Sequence, residues 1–248
     1  MKYEKSLPAG PLRHSFSETS RQGKFIVVDG TDGSGKATQV RELVKNLRKN
    51  KIKVKTIDFP RYYNNFFGKF IGECLVGENG NFLKLNPKIT SVLYAADRFE
   101  SSAQIKKWLD DGFNVIADRY ASSNQIHQGG KITDNKKRKE FLAWLEKMEF
   151  GIFKLPKPNV IIYLDVPVRI TQELLAKDGN QKKKRYQNGK KDLVENDLKY
   201  LEKSRKSAIK MLKDNNNWIT VNCVKGEKLR TIKEISQEIL ENVSRIIK

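Results

Sequence analysis

Short apolar runs along this chain alternate with longer stretches in which apolar residues return every three or four positions. The runs are "KFIVVD" (24–29), "KVKTIDF" (53–59), "NVIAD" (114–118), "NVIIYLD" (159–165) and "WITVNC" (218–223). Each has the length of a strand buried on both faces. Between them, Val40, Leu43, Val44 and Leu47 mark one helix, and Ile89, Val92, Leu93, Ala96 and Phe99 mark another running to about Asp110. Leu93 and Ala96 read as part of that helix's buried stripe, which leaves Tyr94, Asp97 and Arg98 on another side. Further helices are expected over 141–148, 193–212 and 232–247. Strands alternating with helices predict an α/β architecture of three layers, in which helices cover both faces of a parallel sheet. One domain from residue 24 to 248 accommodates all of it.

Composition narrows the partners. A formal net charge of +20 favours polyanions, either nucleic acid or a phosphorylated small molecule; a solvated lysine-rich surface accounts for it equally well. Cys74 and Cys223 lack metal-ligand spacing, and with two histidines there is no zinc constellation. A reducing, cytoplasmic setting fits, and no apolar run approaches the roughly 20 residues that span a bilayer. Residues 1–23 carry Pro8, Gly10, Pro11 and several serines but no apolar core of a signal peptide. They read as a flexible extension. The stretch "KDGNQKKKRYQNGKK" (177–191) lies between two helices and reads as a mobile basic loop.

The chemistry starts at "GTDGSGKATQ" (30–39), where Gly30-x-x-x-x-Gly35-Lys36 has the spacing of a phosphate-binding loop. Glycines let successive N–H groups turn toward phosphate oxygens, and the following helix offers its positive end. Gly30, Gly33, Ser34, Gly35, Lys36, Ala37 and Thr38 are therefore the expected ATP contacts. The pattern usually continues with Ser or Thr after the lysine, and here Ala37 stands in that place. Asp118-Arg119-Tyr120 ends an apolar strand at the edge where open α/β sheets bind ligands. An Asp there can hold Mg²⁺, and an Arg can clamp phosphate. "FPRYYN" (59–64) would project Arg61 toward the same edge, and in "LYAADR" (93–98) an aromatic precedes an arginine by one helical turn.

Together "DGTDGSGKATQ", "FPRYYN", "LYAADRFE", "DRYASSNQIHQGG" and "PNVIIYLDVP" resemble the thymidylate kinase family, from about Lys24 to the C-terminus. The resemblance implies a P-loop kinase fold with a mobile lid at about 177–191, transfer of phosphate from ATP to dTMP with Mg²⁺, and a homodimer formed through the 88–110 region. It assigns Asp32 to the acceptor's 3′-hydroxyl and the magnesium shell, Arg61 to the acceptor phosphate, and Arg119 to both phosphates during transfer. Tyr94 would stack on thymine, Arg98 would donate to its carbonyl, and Asn124 and Gln128 fall on acceptor-side positions. His127 stands where the family usually has a Tyr near the sugar. Asp32 and Asp118 would share the metal, partly through water. Family members draw a catalytic arginine from the P-loop or from the lid. With Gly33 and Ser34 in this P-loop the lid must supply it, as Arg185, with Lys182, Lys183 and Lys184 as alternates. The rivals are a related kinase acting on another nucleotide or a deoxynucleoside, a degenerate nucleotide-binding module, and a basic nucleic-acid ATPase. The last is disfavoured because no second carboxylate follows Asp118, so nucleic acid is not an expected partner despite the charge.

Overall fold

The computed structural model describes residues 22–178 and 197–247. Most of the 1–23 extension and of the basic segment, with Arg185 and its lysine alternates, lies outside the described residues.

Five parallel strands form one sheet: β1 (Phe25–Gly30), β2 (Val54–Asp58), β3 (Asn114–Asp118), β4 (Val160–Asp165) and β5 (Trp218–Asn222), in the order β2-β3-β1-β4-β5. Every residue of β1 is buried, as a central strand covered on both faces requires. Alternation sends Phe25 and Val27 to one face with Ala117, Ile161 and Tyr163. Ile26 and Val28 go to the other with Ile116, Ile162 and Leu164. Helices α1 (Lys36–Lys49) and α9 (Ile232–Ile247) close the second face through Leu43, Leu47, Ile239 and Val243. The first face meets α4 (Ser102–Asp110), the short α5 (Ala121–Ser123) and α8 (Leu198–Asp214) through Ile105, Ala121, Ala208 and Met211. Each Leu, Ile, Val or Met among them removed from water contributes on the order of 1.5–3 kcal/mol. A two-stranded ribbon, β6 (Val224–Lys225) with β7 (Lys228–Leu229), follows β5. The remaining helices are α2 (Phe66–Leu75), α3 (Pro87–Glu100), α6 (Asn135–Glu146) and α7 (Val168–Asp178).

Two expectations are corrected. The helix expected through Asp110 is two, α3 and α4, which meet at Ser101 (φ −100°, ψ −1°). Ser101 Oγ is occupied there by Arg61 and Asn65, at 3.1 Å each. The orientation of α3 is also reversed. Ile89, Val92 and Phe99 are 56%, 38% and 52% exposed, whereas Asp97 and Arg98 are 1% and 2% exposed. The inward polar groups are buried because they meet partners: Asp97 meets Asn65, and Arg98 meets Glu149. Apolar periodicity locates a stripe without saying what covers it. Among the described residues no helix is long and apolar enough to cross a membrane.

Candidate active site

The loop after β1 lies at the carboxyl edge of the sheet, between β3 and β4, where the connections depart to opposite sides. Gly35 caps α1 in the left-handed conformation (φ 83°) with nothing near the place of a Cβ. At Gly33 (φ 78°) a Cβ would lie 2.6 Å from the Thr171 carbonyl of α7, so both conformation and space exclude a side chain. Lys36 is buried, and its Nζ donates to the carbonyls of Gly30 and Thr31 at 3.1 and 2.8 Å. Burial, and Arg119 after it, lower its pKa to about 8, which leaves the ammonium charged at neutral pH. The hydroxyls of Thr31 and Ser34 are buried without a hydrogen-bond partner among the described residues.

Arg119 follows β3 in a left-handed conformation (φ 67°) that costs a non-glycine residue about 1–3 kcal/mol. Its amide donates to Val28 O of β1. Its guanidinium is shared: NH2 donates to Asp32 Oδ1 at 2.6 Å, and NH1 to Gly30 O at 3.3 Å. NH1 also lies 3.1 Å from His127 Nε2 and 3.7 Å from Asp29 Oδ1. Burial alone would lower its pKa, but Asp32, Asp29 and Asp118 outweigh it and hold it above the usual arginine value. Asp29, fully buried, also accepts from the hydroxyls of Ser122 and Ser123 at 2.6 and 2.9 Å. Burial raises the Asp118 carboxyl against the pull of Lys36 and Arg119.

One cleft of about 460 Å³ runs from Lys36 and Arg119 past His127 to Tyr94 and Arg98. At the far end, Arg98 is gripped in a bidentate pair by Glu149, Nε to Oε2 at 3.0 Å and NH2 to Oε1 at 2.8 Å. Asn124 Nδ2 donates to the same carboxylate at 2.8 Å and to Ser91 O at 3.1 Å. Both Asn124 and Glu149 sit on π-helical turns, 124–128 and 147–152, a widened geometry found often at functional sites. Tyr94 packs on Phe82 with ring centroids 6.0 Å apart. Gln128 lines the cleft with its Oε1 buried and unpartnered among the described residues.

Asp32, Gly33, Gly35, Lys36, Ala37, Thr38, Tyr94, Arg98, Asp118, Arg119, Asn124, His127 and Gln128 line one cleft, while Gly30 and Ser34 of the same loop do not. Arg61 does not line it. Asp97 accepts the Arg61 amide, and the guanidinium runs to Ser101 Oγ and Gln104 Oε1 at the junction of α3 and α4. Tyr62 and Tyr63 take the cleft side instead. Sequence reading missed Glu149, whose segment shows a helical pattern but no chemical one, and Asp58, which ends β2 opposite Asp118 and lines the cleft. An acid closing an apolar strand at the same edge as Asp118 was a signal available for Asp58. Nothing local marks Glu149.

Comparison with known proteins follows this geometry. The family model described as thymidylate kinase matches residues 28–239. The chain is similar to thymidylate kinase of Plasmodium falciparum, 33% identical over 157 residues, covering 63% of this chain and 68% of that one. It is similar to thymidylate kinase of Fervidobacterium nodosum, 30% identical over 219 residues and covering 88% and 96%. A solved thymidylate kinase from Candida albicans superposes with a TM-score of 0.65 over 92% of this chain and 94% of that one; at 22% identity this speaks for the fold. A P-loop joined to an arginine-lined pocket by one continuous cleft, on this sheet order and across this much of the sequence, has one reading: the chain belongs to the thymidylate kinase family.

Proposed function

We propose that this protein transfers the γ-phosphoryl group of ATP to dTMP, giving ADP and dTDP. One observation carries the reading: a single cleft joins the P-loop lysine and Arg119 to a pocket walled by Tyr94 and Arg98. The P-loop amides and Lys36 hold the donor phosphates. Arg119, beside Lys36 at the phosphate end, meets the oxygens of the group in flight, where charge develops. The acceptor phosphate is already an anionic nucleophile, so no side chain has to remove a proton, and the protein's work is alignment. Tyr94 stacks on the base. The Arg98 NH1, which makes a long 3.4 Å contact to Tyr120 O, turns a donor toward a base carbonyl. Asn124 and Gln128 line the acceptor side, and Arg61 supports that wall from behind.

The donor set fits Mg²⁺. Asp32 and Asp118 offer hard oxygens, and the described residues hold no cluster of three His, Cys, Asp or Glu that would cage a metal. Such a set suits an ion that keeps several waters and leans on nucleotide phosphates. Bound there, Mg²⁺ supplies charge neutralisation on those phosphates. Ala37 removes one hydroxyl from the shell.

The exposed Ile89, Val92 and Phe99 on α3 support a homodimer closed through this face. Buried free thiols at Cys74 and Cys223 accord with a reducing cytoplasm. Mg²⁺-dependent ADP release, measured with dTMP, dUMP, UMP, thymidine, single-stranded DNA or no acceptor, tests the activity. Turnover with dTMP and little with thymidine is expected. Turnover driven by DNA, or equal without an acceptor, would overturn the reading.

A further inference from the structure

We propose that Ser204 of α8, acting through His127, positions the Arg119 guanidinium for transfer. The inference rests on the phosphoryl-transfer reading of Arg119 given above.

The hydrogen-bond chain admits one protonation pattern. A guanidinium only donates, so His127 Nε2, 3.1 Å from Arg119 NH1, must present its lone pair. The ring proton then sits on Nδ1 and points at Ser204 Oγ, 3.1 Å away. That oxygen accepts, so its own hydrogen goes elsewhere, and Tyr200 O lies 2.9 Å from it. The three links agree from either end. His127 is also clamped in its plane, stacked on the Tyr200 ring at 5.8 Å with 8° between planes. Ser204 is fully buried, so water does not compete for the hydroxyl.

Arg119 needs such a guide. Its backbone is strained, and Asp32 and Asp29 both draw its side chain toward the P-loop. His127 pulls from the other side with a neutral acceptor, which directs NH1 without adding a third negative charge to those of Asp32 and Asp29. Here the imidazole is a positioning group and Ser204 fixes its tautomer.

The first test does not depend on activity. His14 and His127 are the chain's two histidines, so long-range ¹H–¹⁵N spectra of a His14→Gln protein report the His127 ring alone. At pH 7 the expected pattern is a protonated Nδ1 and a lone-pair Nε2, lost or mixed in Ser204→Ala. An Nε2–H ring, or spectra unmoved by Ser204→Ala, overturns the proposal. The second test is kinetic, on variants matched for melting temperature. His127→Phe should lower kcat for dTMP about 10- to 100-fold with KM for ATP unchanged, the scale of a small misplacement. His127→Gln, which returns an acceptor toward Arg119, should recover most of it. In an Arg119→Lys background His127→Phe should cost nothing more. Costs that multiply independently, or a glutamine as slow as phenylalanine, defeat it. A wild-type protein inactive on dTMP would sink the functional reading alone, since the ring's tautomer would still decide the positioning.

Discussion

Arg98 and Arg119 stand at opposite ends of one cleft, and their charges are met in different ways. Arg98 belongs to a single carboxylate: Glu149 takes two of its donors inside a buried pair. Arg119 belongs to none, since Asp32, Asp29, Gly30 O and His127 each hold a part of it. A closed pair is a fixture that shapes a pocket, and breaking it leaves an uncompensated charge in the interior. A shared guanidinium has near-equivalent places to donate, so exchanging one for a phosphoryl oxygen costs little. In the proposed reaction Arg98 would meet a base that arrives and leaves unchanged, and Arg119 a group that crosses between two molecules.

The sharpest way to break this contrast is to remove each arginine's partner or the arginine itself. Glu149→Ala should destabilise the fold by about 3–5 kcal/mol in urea denaturation, the cost of an orphaned buried charge. Arg119→Ala should cost less stability and lower kcat by about 10³-fold or more. Equal melting of Glu149→Ala and wild type would show that Arg98 is not anchored as described.

Acid separates the two ends next. Burial, with Arg119 beside it, holds the His127 pKa at about 4. Between 6.5 and 4 the unfolded chain takes a proton that the folded chain refuses, so this group's contribution is intact above pH 6.5 and lost as pH falls. Asp97, raised to about 6 chiefly by burial, runs the opposite way: between 6 and 3.8 the folded chain holds the extra proton, and acid favours it. The two slopes oppose each other in the wild type. Relative to it, His127→Gln should gain about 2 kcal/mol on acidification from pH 7.5 to 5, read from denaturation curves at each pH.

Within the phosphate end, Gly33→Ala and Gly35→Ala should differ. Both force an L side chain to positive φ, about 1–2 kcal/mol, but the first also drives a methyl against Thr171 O. Thermal melts should place Gly33→Ala lower by several degrees. The smallest effect belongs to the base end. Tyr94→Ala should raise KM for dTMP about 5- to 10-fold in steady-state assays, roughly 1 kcal/mol of lost stacking, with Tyr94→Phe near wild type.

Legibility followed the same division. All five strands lie within a residue or so of their expected bounds; the central β1, β3 and β4 are buried on both faces and write themselves as unbroken apolar runs, whereas the edge strands β2 and β5 are only partly buried. The phosphate end was equally plain, since cradling a phosphate demands glycines and a lysine at fixed spacing. The base end was only half visible. Arg98 and Asn124 could be placed by resemblance, but Glu149 joins them across a second π-helical turn, and one inserted residue in a helix leaves no local signature. Its place at a strand end aims Arg61 at the sheet edge, and resemblance gives it the acceptor phosphate; the Asp97 carboxylate that takes its amide comes from a helix 36 positions later. α2 carries apolar residues on too short a span to separate from a loop, and the stripe on α3 was visible while its direction was not.

That helix has a consequence for behaviour on dilution. α3 lines the cleft with Tyr94 and Arg98 and leaves Ile89, Val92 and Phe99 exposed, the face through which the homodimer proposed above would close. Two equilibria then act on one rigid rod. Whatever settles the inner face must settle the outer one, and by reciprocity the partner must return the favour. In such a dimer, the concentration at which protomers separate and the concentration at which dTMP half-fills the cleft would be not two constants but one relation between them.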